Sequence, residues 1–231
     1  MKLGINLKTG QKWMLTSWLT DKIPAPGGFS LAWDRMENGT GQLVMKHRGN
    51  KYWVSGVGSN SDFENVGTMT SDGHYYNFSY VSNENERYFT YSSPDRSVSR
   101  WVLSSDGSLS DDSKAIFVRS GMCFGYSSVR GCEKQNAPNC RNSNQKIEEK
   151  YGYFLPPDPI WDGNSSISIG DCWAQCWSNC SCSGFGTFDM PGCRFFTSQF
   201  VDQPVTRQHF YVVIKTGKHP PPTTPQLRVI Y

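Results

Sequence analysis

Apolar and polar residues alternate with a period of two through the first half of the chain. Phe29, Leu31 and Trp33 alternate with polar or small neighbours, and Tyr76 and Phe78 begin a second run of this kind. A period of two is typical of a β-strand that buries one face. Short strands separated by turns favour an all-β sandwich, barrel or prism. The predicted strands are Phe29–Asp34, Leu43–His47, Lys51–Ser55, His74–Ser82, Arg87–Ser92 and Ser99–Leu103.

Short polar sequences predict the turns that separate these strands. Residues 38–41 form an Asn-Gly-Thr-Gly sequence, and Asn and Gly tolerate the positive φ angles that tight turns require. Gly49 and Asn50 predict a tight hairpin between two of the strands. Asp111 and Asp112 are adjacent carboxylates, which we interpret as a solvated turn rather than as a catalytic pair.

The second half of the chain has one helical pattern among short strands. Residues 121–165 contain four prolines and many asparagines, and we interpret them as an irregular, extended connector. The segment Ile169–Asn179 predicts a helix capped by Ser168 or Gly170, with Asp171 in the first turn, where the helix dipole favours an anion. Three further strands are predicted at Phe185–Phe188, Cys193–Thr197 and Phe210–Ile214. The Pro-rich residues 217–231 predict a stiff extended linker or a ragged end.

Composition and charge restrict the class of protein. Aromatic residues make up 14% of the 231 residues, which is too large a share for a disordered chain. The 23 basic and 20 acidic residues are interspersed and leave a formal net charge of +3, so we expect no nucleic acid partner. No run of 18 apolar residues occurs, and we expect no membrane span in this chain. The first ten residues lack the apolar segment of a secretory signal peptide.

All eight cysteines lie between residues 123 and 193. An even, clustered set indicates a disulfide module that follows a cysteine-free region. Zinc is the alternative, but the spacing C-x3-C-x3-C-x-C lacks paired knuckles, and the four histidines lie well away in sequence. Disulfides are therefore the preferred interpretation, and they require an oxidising compartment. Four N-x-S/T sequons agree with that compartment and predict glycosylation at Asn38, Asn77, Asn164 and Asn179.

No grouping of residues predicts catalysis, a metal site or a cofactor. Every cysteine is better used in a bridge than in a Cys–His pair, and no G-x-S-x-G sequence supports a serine nucleophile. His47 and His74 are interpreted as packed or surface side chains. Exposed aromatic side chains could supply flat area for binding a partner, although most of the aromatic residues are expected in the core. The candidates for such an exposed role are Tyr75, Trp161 and Trp173.

Four stretches of the sequence carry distinctive motifs. The first stretch is Met1–Gly10 with Leu15–Trp18, and the second is Pro26–Phe29 with Gln42-Leu43 and Tyr52–Gly56. The third stretch is Phe78–Glu86 with Tyr88-Phe89. The fourth stretch is Cys172-x3-Cys176-x3-Cys180-x-Cys182 with Gly192-Cys193. Together these stretches resemble the extracellular part of plant S-domain receptor-like kinases, also called G-type lectin S-receptor-like serine/threonine kinases. In that order they look like the end of a bulb-type lectin domain, two parts of an S-locus glycoprotein region, and a PAN/apple module.

The resemblance implies the fold class and a division of the chain. The fold would be mainly β, with a β-prism-like lectin and S-locus region followed by a small α+β disulfide-bonded PAN/apple module. The implied segments are a C-terminal remnant of the lectin domain at 1–20, the S-locus glycoprotein domain at 21–120, a disulfide-tied connector at 121–165, the PAN/apple domain at 166–216 and the Pro-rich tail at 217–231.

The resemblance also implies how some of the cysteines pair. Its PAN/apple module implies the disulfides Cys172–Cys193 and Cys176–Cys182. The other four cysteines allow three connectivities, and of these we choose Cys140–Cys180 with Cys123–Cys132.

The sequence departs from the family pattern in ways that bear on function. The mannose-type lectin motif Q-x-D-x-N-x-V-x-Y does not occur, and the family's usual signal peptide and complete lectin domain are not found at the start. The kinase motifs G-x-G-x-x-G, V-A-I-K, H-R-D and D-F-G are also absent from this sequence. We therefore expect that this chain is not an enzyme, although the family it resembles consists of kinases.

The function implied by the resemblance is recognition at the cell surface. The chain would be an extracellular or plasma-membrane ectodomain that binds a protein, a peptide or a glycan, pairs with itself or with another S-domain receptor, and serves signalling of the pollen-recognition type. Two alternatives remain open. One is a fragment of a receptor gene with no activity of its own, and the other is a secreted carbohydrate-binding protein or inhibitor.

Overall fold

A computed structural model describes the protein at residues 1–35, 40–58, 62–68, 70–71, 74–92, 100–112, 115–134, 138–187, 192–206 and 208–215. Within these residues the chain forms 21 strands and one short helix. The predicted fold class is confirmed, since the protein is mainly β and has a small disulfide-bonded α+β module near its C-terminal end. The predicted tail at 217–231 lies outside the described residues.

The N-terminal region, residues 1–118, contains two four-stranded antiparallel sheets, with strand orders β11-β12-β1-β2 and β3-β4-β5-β6. A three-stranded sheet β13-β14-β15 and the small hairpins β7–β8 and β9–β10 complete it. The strands are β1 (Lys2–Asn6), β2 (Lys12–Trp13), β3 (Leu15–Thr20), β4 (Ile23–Arg35), β5 (Gly41–His47), β6 (Asn50–Val54), β7 (Asp62–Phe63), β8 (Gly67–Thr68), β9 (Thr70–Ser71), β10 (His74–Tyr75), β11 (Asn77–Ser82), β12 (Glu86–Ser92), β13 (Trp101–Leu103), β14 (Leu109–Asp111) and β15 (Ile116–Val118).

The register of β4 with β5 explains the alternation seen in the sequence. Leu31 pairs with Met45 and Trp33 pairs with Leu43, so the apolar positions of both strands share one face of the sheet. Burying that face removes apolar surface from water, which is the main favourable contribution to folding. Phe29, Leu31, Leu43 and Met45 are accordingly buried.

The inner faces of the sheets meet in an aromatic core. Trp33 stacks on Phe89 of β12 with ring centroids 5.0 Å apart, and Tyr91 stacks on Trp101 of β13 at 4.6 Å. Such stacked contacts give aromatic pairs stability beyond the area they bury. The core therefore links β4 to β12 and β12 to β13, so three sheets share one interior.

The C-terminal module, residues 138–215, is a six-stranded antiparallel sheet with one helix against it. The strand order is β17-β19-β18-β21-β16-β20. The helix contacts the middle of the sheet, where the Trp173 ring lies 5.8 Å from Phe185 and 5.2 Å from Tyr211. The elements are β16 (Gln145–Phe154), β17 (Ile160–Asp162), α1 (Ile169–Ser178), β18 (Gly184–Gly186), β19 (Cys193–Phe196), β20 (Phe200–Asp202) and β21 (His209–Lys215).

The helix begins where the sequence predicts. Ser168 is its N-cap, and the Ser168 backbone N–H donates to Asp171 Oδ2 at 2.7 Å. This bond satisfies one of the amide groups near the helix start and places a carboxylate at the positive end of the helix dipole. The Asp171 carboxylate is thereby fixed in position at the start of the helix.

The interpretation of residues 121–165 as irregular is wrong for two segments. The strand β16 pairs with β21 over seven positions, and β17 pairs with β19 over three. Charged side chains conceal the strand pattern of β16, since Glu148 interacts with Lys146 and Lys150 beside it. The partner strand β21 begins more than fifty residues later, so no local signal marks the pairing.

Two predicted turns also differ from the structure. The hairpin between β5 and β6 turns at Arg48 and Gly49, which have φ angles of 49° and 83°, and Asn50 already pairs with His47. Asp111 does not lie in a solvated turn: it ends β14 and is 2% exposed. It is buried because it accepts hydrogen bonds from the Tyr76 hydroxyl at 2.8 Å and from the backbone N–H of residue 115 at 2.9 Å.

Candidate recognition site at the junction of the two regions

A row of aromatic side chains joins the N-terminal region to the C-terminal module. Phe29 contacts Tyr52 with ring centroids 5.2 Å apart, and Tyr52 contacts Phe124 at 5.0 Å. Phe124 then stacks on Trp173 of α1 at 5.7 Å. The Tyr52 hydroxyl also accepts a hydrogen bond from the backbone N–H of Cys123 at 3.2 Å. The two regions therefore share a continuous apolar contact, which fixes their orientation.

The hairpin turn between β5 and β6 contacts the start of the helix. Arg48 Nε donates to Asp171 Oδ1 at 2.8 Å, and Arg48 Nη2 donates to Asp171 Oδ2 at 2.5 Å. Nη2 also donates to the backbone carbonyl of Ser166 at 2.6 Å. A paired arginine–carboxylate contact of this kind is strong and directional. Arg48 makes it from a left-handed backbone conformation, which is costly for a residue other than glycine.

Electrostatics reinforce this contact. Burial opposes ionisation of Asp171, but hydrogen bonds from Arg48 and from the Ser168 backbone, together with the proximity of His47, outweigh it and hold the pKa of the carboxyl below its usual range. His47 Nε2 lies 3.2 Å from Asp171 Oδ1. The hydrogen bond to Asp171 raises the pKa of Arg48. Asp171 is therefore a carboxylate shared by the helix cap and the hairpin.

The other end of the helix is held by Arg141. Its Nη2 donates to the backbone carbonyls of Cys176, Asn179 and Cys182 at 3.1, 2.8 and 2.9 Å, and its Nε donates to that of Trp177 at 3.2 Å. The last carbonyls of a helix have no partner within it, and a cation there also matches the helix dipole. Burial lowers the pKa of Arg141. The cation thus binds four carbonyl groups at the end of the helix, of which that of Asn179 also accepts the Cys182 N–H at 3.0 Å.

A cleft of about 710 Å³, which we call the junction cleft, lies beside the contact of Arg48 with Asp171, and both residues line it. The hairpin forms one wall with Asn50 and Lys51, the helix forms another with Gln175, and Glu133 and Lys134 form the third. The volume lies within the range of about 300–1,000 Å³ that is usual for ligand sites. Five charged side chains contribute to the lining, and Asp171 is already engaged by Arg48. Within the described residues, the lining charges without an ion-pair partner are those of Lys51, Lys134 and Glu133.

The structure joins all eight cysteines in disulfides, so the predicted disulfide-bonded character is confirmed. The pairs are Cys123–Cys132, Cys140–Cys180, Cys172–Cys193 and Cys176–Cys182. Two bridges fasten α1 to its surroundings, one to β19 and one to the turn that follows the helix. In the part of the chain that the structure describes, no group of three His, Cys, Asp or Glu side chains could hold a metal ion.

The structure places three of the four predicted glycosylation sites on the surface. Asn77 is exposed on β11, which is the edge strand of its sheet. Asn164 and Asn179 are exposed in loops, where their Oδ1 atoms accept the backbone N–H groups of Ser166 and Ser181. Asn38 lies outside the described residues. Glycosylation of these asparagines stays a prediction.

The candidate aromatic anchors differ in exposure. Trp161 lies on β17 at the edge of the module and is 60% exposed. Trp173 is 5% exposed, so its proposed role as a surface anchor is wrong; the ring packs between Phe124, Phe185 and Tyr211. The side chain of Tyr75 lies outside the described part of the structure.

Sequence reasoning missed the two arginines that hold the helix. Arg48 is next to a glycine in a hairpin, and Arg141 follows a cysteine, but both positions are typical of exposed residues. Their partners lie 123 and about 36 residues away, respectively. Only the fold brings each arginine to its partner, so the sequence contains no local signal for either contact.

The family model of the PAN-like domain matches residues 140–203. This segment starts at Cys140 and contains the helix, all but one of the module's strands and three of the disulfides. The class of the C-terminal module is therefore a PAN-like domain, preceded by a mainly β region.

Relatives cover almost the whole chain. The G-type lectin S-receptor-like serine/threonine-protein kinase CES101 of Arabidopsis thaliana is 28% identical over 94% of this chain and 31% of its own length. The kinases SD1-1 and At1g67520 of the same family and organism are 27% and 30% identical over 87% and 86% of the chain. Over most of its length the chain is thus similar to the G-type lectin S-receptor-like kinases, and the resemblance seen in the sequence is confirmed.

The chain spans about a third or less of the length of these relatives. The matched part is the ectodomain portion of the relatives, which contains the lectin and PAN regions, and no kinase domain is evident in this chain. The longest helix among the described residues is α1, which is too short to cross a membrane.

Proposed function

We propose that the chain is the extracellular recognition portion of an S-domain receptor-like kinase and that it binds a peptide or protein ligand in the junction cleft. The observation that supports this proposal is the cleft of about 710 Å³, whose walls come from the hairpin, the helix and the segment between them. A site built from two regions can recognise a ligand through both at once. The four disulfides support an extracellular location, since such bridges persist in oxidising compartments.

The charges of the cleft favour a ligand with acidic groups. Lys51 and Lys134 are exposed in its walls, and Glu133 is the opposing carboxylate. Arg48 and Asp171 neutralise each other. One net positive charge therefore remains on the lining, and long flexible lysines can follow the carboxylates of a peptide.

A binding experiment with charge reversal tests this function. The full chain is secreted in disulfide-bonded form, and a fluorescently labelled library of Asp- and Glu-rich peptides is the probe, with acidic and neutral oligosaccharides as a second arm. Replacing both Lys51→Glu and Lys134→Glu should weaken peptide binding at least about tenfold, because it reverses two charges in the cleft. Lys12→Glu on β2, an exposed position in a different sheet, is the matched control.

The outcomes separate the alternatives. An equal loss of binding in the Lys12→Glu protein would show a general charge effect and contradict the cleft. Binding of oligosaccharides but not of peptides would favour the carbohydrate-binding alternative. No binding by either arm would favour a fragment without activity of its own.

We also propose that this ectodomain pairs with itself or with another S-domain receptor. The support is the exposed edge strand β17, where Ile160 and Trp161 are 64% and 60% exposed. The Trp161 ring also lies 6.0 Å from the Arg194 guanidinium, and this contact within the module helps to hold the ring at the surface where a partner could meet it. The molar mass of the Trp161→Ala protein by light scattering tests the pairing: wild-type protein should dimerise at high concentration, and the variant should not. A monomeric wild-type protein would contradict pairing with itself, and a mixture with another S-domain ectodomain that shows no added mass would contradict pairing with that receptor.

The domain division remains a proposal, with one adjustment. We propose that residues 1–20 derive from the lectin domain and 21–120 from the S-locus region, which share a sheet because β1 pairs with β12. The PAN module is proposed to begin near Cys140 rather than at residue 166, because β16 belongs to its sheet. Independent expression of residues 138–215 tests that boundary against 166–216; the longer segment should fold and the shorter should not.

A further inference from the structure

The four disulfides differ in their access to solvent. Cys140 and Cys180 are both exposed. Each of the other bridges has at least one cysteine that is fully or almost fully buried, namely Cys123, Cys172 with Cys193, and Cys176 with Cys182. A disulfide is opened by a thiolate that approaches one sulfur along the S–S axis, so access controls the rate. Cys140–Cys180 is therefore the bridge that an external thiol reaches first.

This bridge also fastens a structural segment that we name the strap, residues 129–134 and 138–141. The strap runs beside β6, where the Val54 N–H donates to the Gly131 carbonyl at 2.9 Å and the Glu133 N–H donates to the Tyr52 carbonyl at 3.1 Å. Cys132 lies opposite Trp53 in the same ladder. At its other end the strap reaches the C-terminal end of α1 through Cys140–Cys180 and Arg141.

The strap therefore connects the N-terminal region to the C-terminal end of the helix, whereas Arg48 contacts Asp171 near the N-terminal end of the helix. If the bridge opens, hydrogen bonds of Arg141 remain to hold the strap to the helix, and α1 keeps its two buried disulfides. Opening should then loosen the strap without unfolding the module. Cys132 stays bonded to Cys123, but hydrogen bonds alone then hold the strap beyond it. They hold less firmly than a covalent bond, so this part of the strap would leave β6 more often.

We propose that Cys140–Cys180 is a thiol-exchange site, at which a small thiol or a dithiol protein reduces the bridge selectively and loosens the strap. A thiolate forms a mixed disulfide with one cysteine sulfur while the S–S bond breaks and the other sulfur leaves as a thiolate. A second thiolate releases the mixed disulfide, so the two thiols are oxidised to a disulfide and both cysteines are reduced, with protons taken from water. Glu133 and Lys134 line the junction cleft, so an effect on ligand binding rests on the proposed function.

The experiment measures reduction and strap mobility without a ligand. The full chain is treated with dithiothreitol for increasing times, free thiols are alkylated, and the modified cysteines are identified by mass spectrometry. Cys140 and Cys180 should be alkylated at least about tenfold faster than any other cysteine. Hydrogen exchange at the Glu133 and Val54 amides should rise about tenfold in the singly reduced protein. Exchange in the pairing of β1 with β12 should not change.

A variant separates the effect of the bridge from the effect of the reagent. The double replacement Cys140→Ser with Cys180→Ser should reproduce the fast exchange at Glu133 and Val54 without a reductant. If that protein does not fold, the partly reduced wild-type protein supplies the same measurement. Simultaneous opening of all four bridges, or unchanged exchange of the strap after selective opening, would overturn the proposal. Neither result changes what the lysine variants show about the cleft. Failure of the thiol-exchange proposal can therefore be distinguished from failure of the ligand-binding proposal.

Discussion

The two regions of this protein reach stability by different means. The N-terminal region, residues 1–118, contains no cysteine and relies on large aromatic side chains that stack across three sheets. The C-terminal module, in residues 138–215, has three of the four disulfides and a short helix held at its end by Arg141. The difference follows the amount of apolar surface that each part can bury.

A small layer of sheet and helix has little interior to exclude water from, so covalent bonds and buried polar contacts supply part of its stability. Among the described residues, the cluster on the far face of the module's sheet is small: Phe196, Phe210 and Val212 are buried there, with Phe154, Phe200 and Ile214 partly buried against them. The large cluster instead begins in the N-terminal region and continues through Phe124 into the helix. The comparison predicts that core substitutions damage the first region most, whereas reduction damages the second.

The largest expected effect is in the aromatic core. Trp101 is 5% exposed and contacts Tyr91, Phe89 and Tyr76. Trp101→Ala should lower the free energy of unfolding by about 4 kcal/mol, because it removes a large buried side chain and leaves a cavity. Urea unfolding followed by circular dichroism measures it. Val102→Ala at the exposed neighbour is the control and should change the free energy by less than about 0.5 kcal/mol; equal losses would contradict a shared core.

A smaller effect is expected when a bridge of the module is removed. The disulfide Cys172–Cys193 joins residues 21 apart, and replacing both cysteines by Ala should destabilise the module by about 3 kcal/mol through the loop entropy of the unfolded chain. Hydrogen exchange in urea should show β18 and β19 opening before β1 and β12. If the strands of both regions lose protection at the same urea concentration, the two regions do not differ in the way proposed.

The sequence could predict the fold where the signal is local. The alternation of Phe29, Leu31 and Trp33 predicts a strand that the structure contains, and the pattern at Ile169–Asn179 predicts a helix that ends one residue earlier. In each case neighbouring residues alone decide the structure, through the pleat of a strand or the turn of a helix. The family resemblance added the class of the module, which no local pattern supplies.

The candidate site could not be predicted in the same way. Its key contact joins Arg48 to Asp171 across more than a hundred residues, and β16 becomes a strand by pairing with β21 and β20, which both come much later in the chain. The sequence identifies Asp171 as a first-turn carboxylate but contains no sign that an arginine will share it. Trp173 shows the converse, since a candidate surface ring is buried by Phe124 and Tyr211, which come from distant parts of the chain.

The junction should respond to acid. Since the pKa of Asp171 is lowered by folding, its carboxylate contributes stability above the ordinary carboxyl pKa of about 3.9, and that stability is lost as the pH falls below it. Asp171→Asn should cost about 2 kcal/mol at neutral pH, because charge-assisted hydrogen bonds from Arg48 are lost. Urea unfolding at several pH values measures both proteins. The difference between them should shrink in acid, and a difference that stays constant with pH would contradict the role of the carboxylate.

The smallest expected effect comes from a comparison of two ion pairs near the surface, one in each region. Lys2 donates to Glu86 at 2.7 Å and lies 4.0 Å from the Trp13 ring centroid and 4.1 Å from that of Tyr88, so it joins three strands. Lys146 pairs with Glu148 on its own strand. Lys2→Ala should cost about 1 kcal/mol, since an ammonium between two rings gains attraction from both. Lys146→Ala should cost less than about 0.5 kcal/mol, because an exposed pair within one strand is weak.

Urea unfolding at low and high salt separates the two contributions of Lys2. Salt screens the charge pair with Glu86 but weakens a contact with ring faces much less, so most of the loss should persist at high salt. A loss that vanishes with salt would mean that the rings contribute nothing. Lys146→Ala could instead lower the free energy of unfolding as much as Lys2→Ala does. In that case side-chain contacts between strands of the N-terminal region would stabilise no more than a contact along one strand of the module.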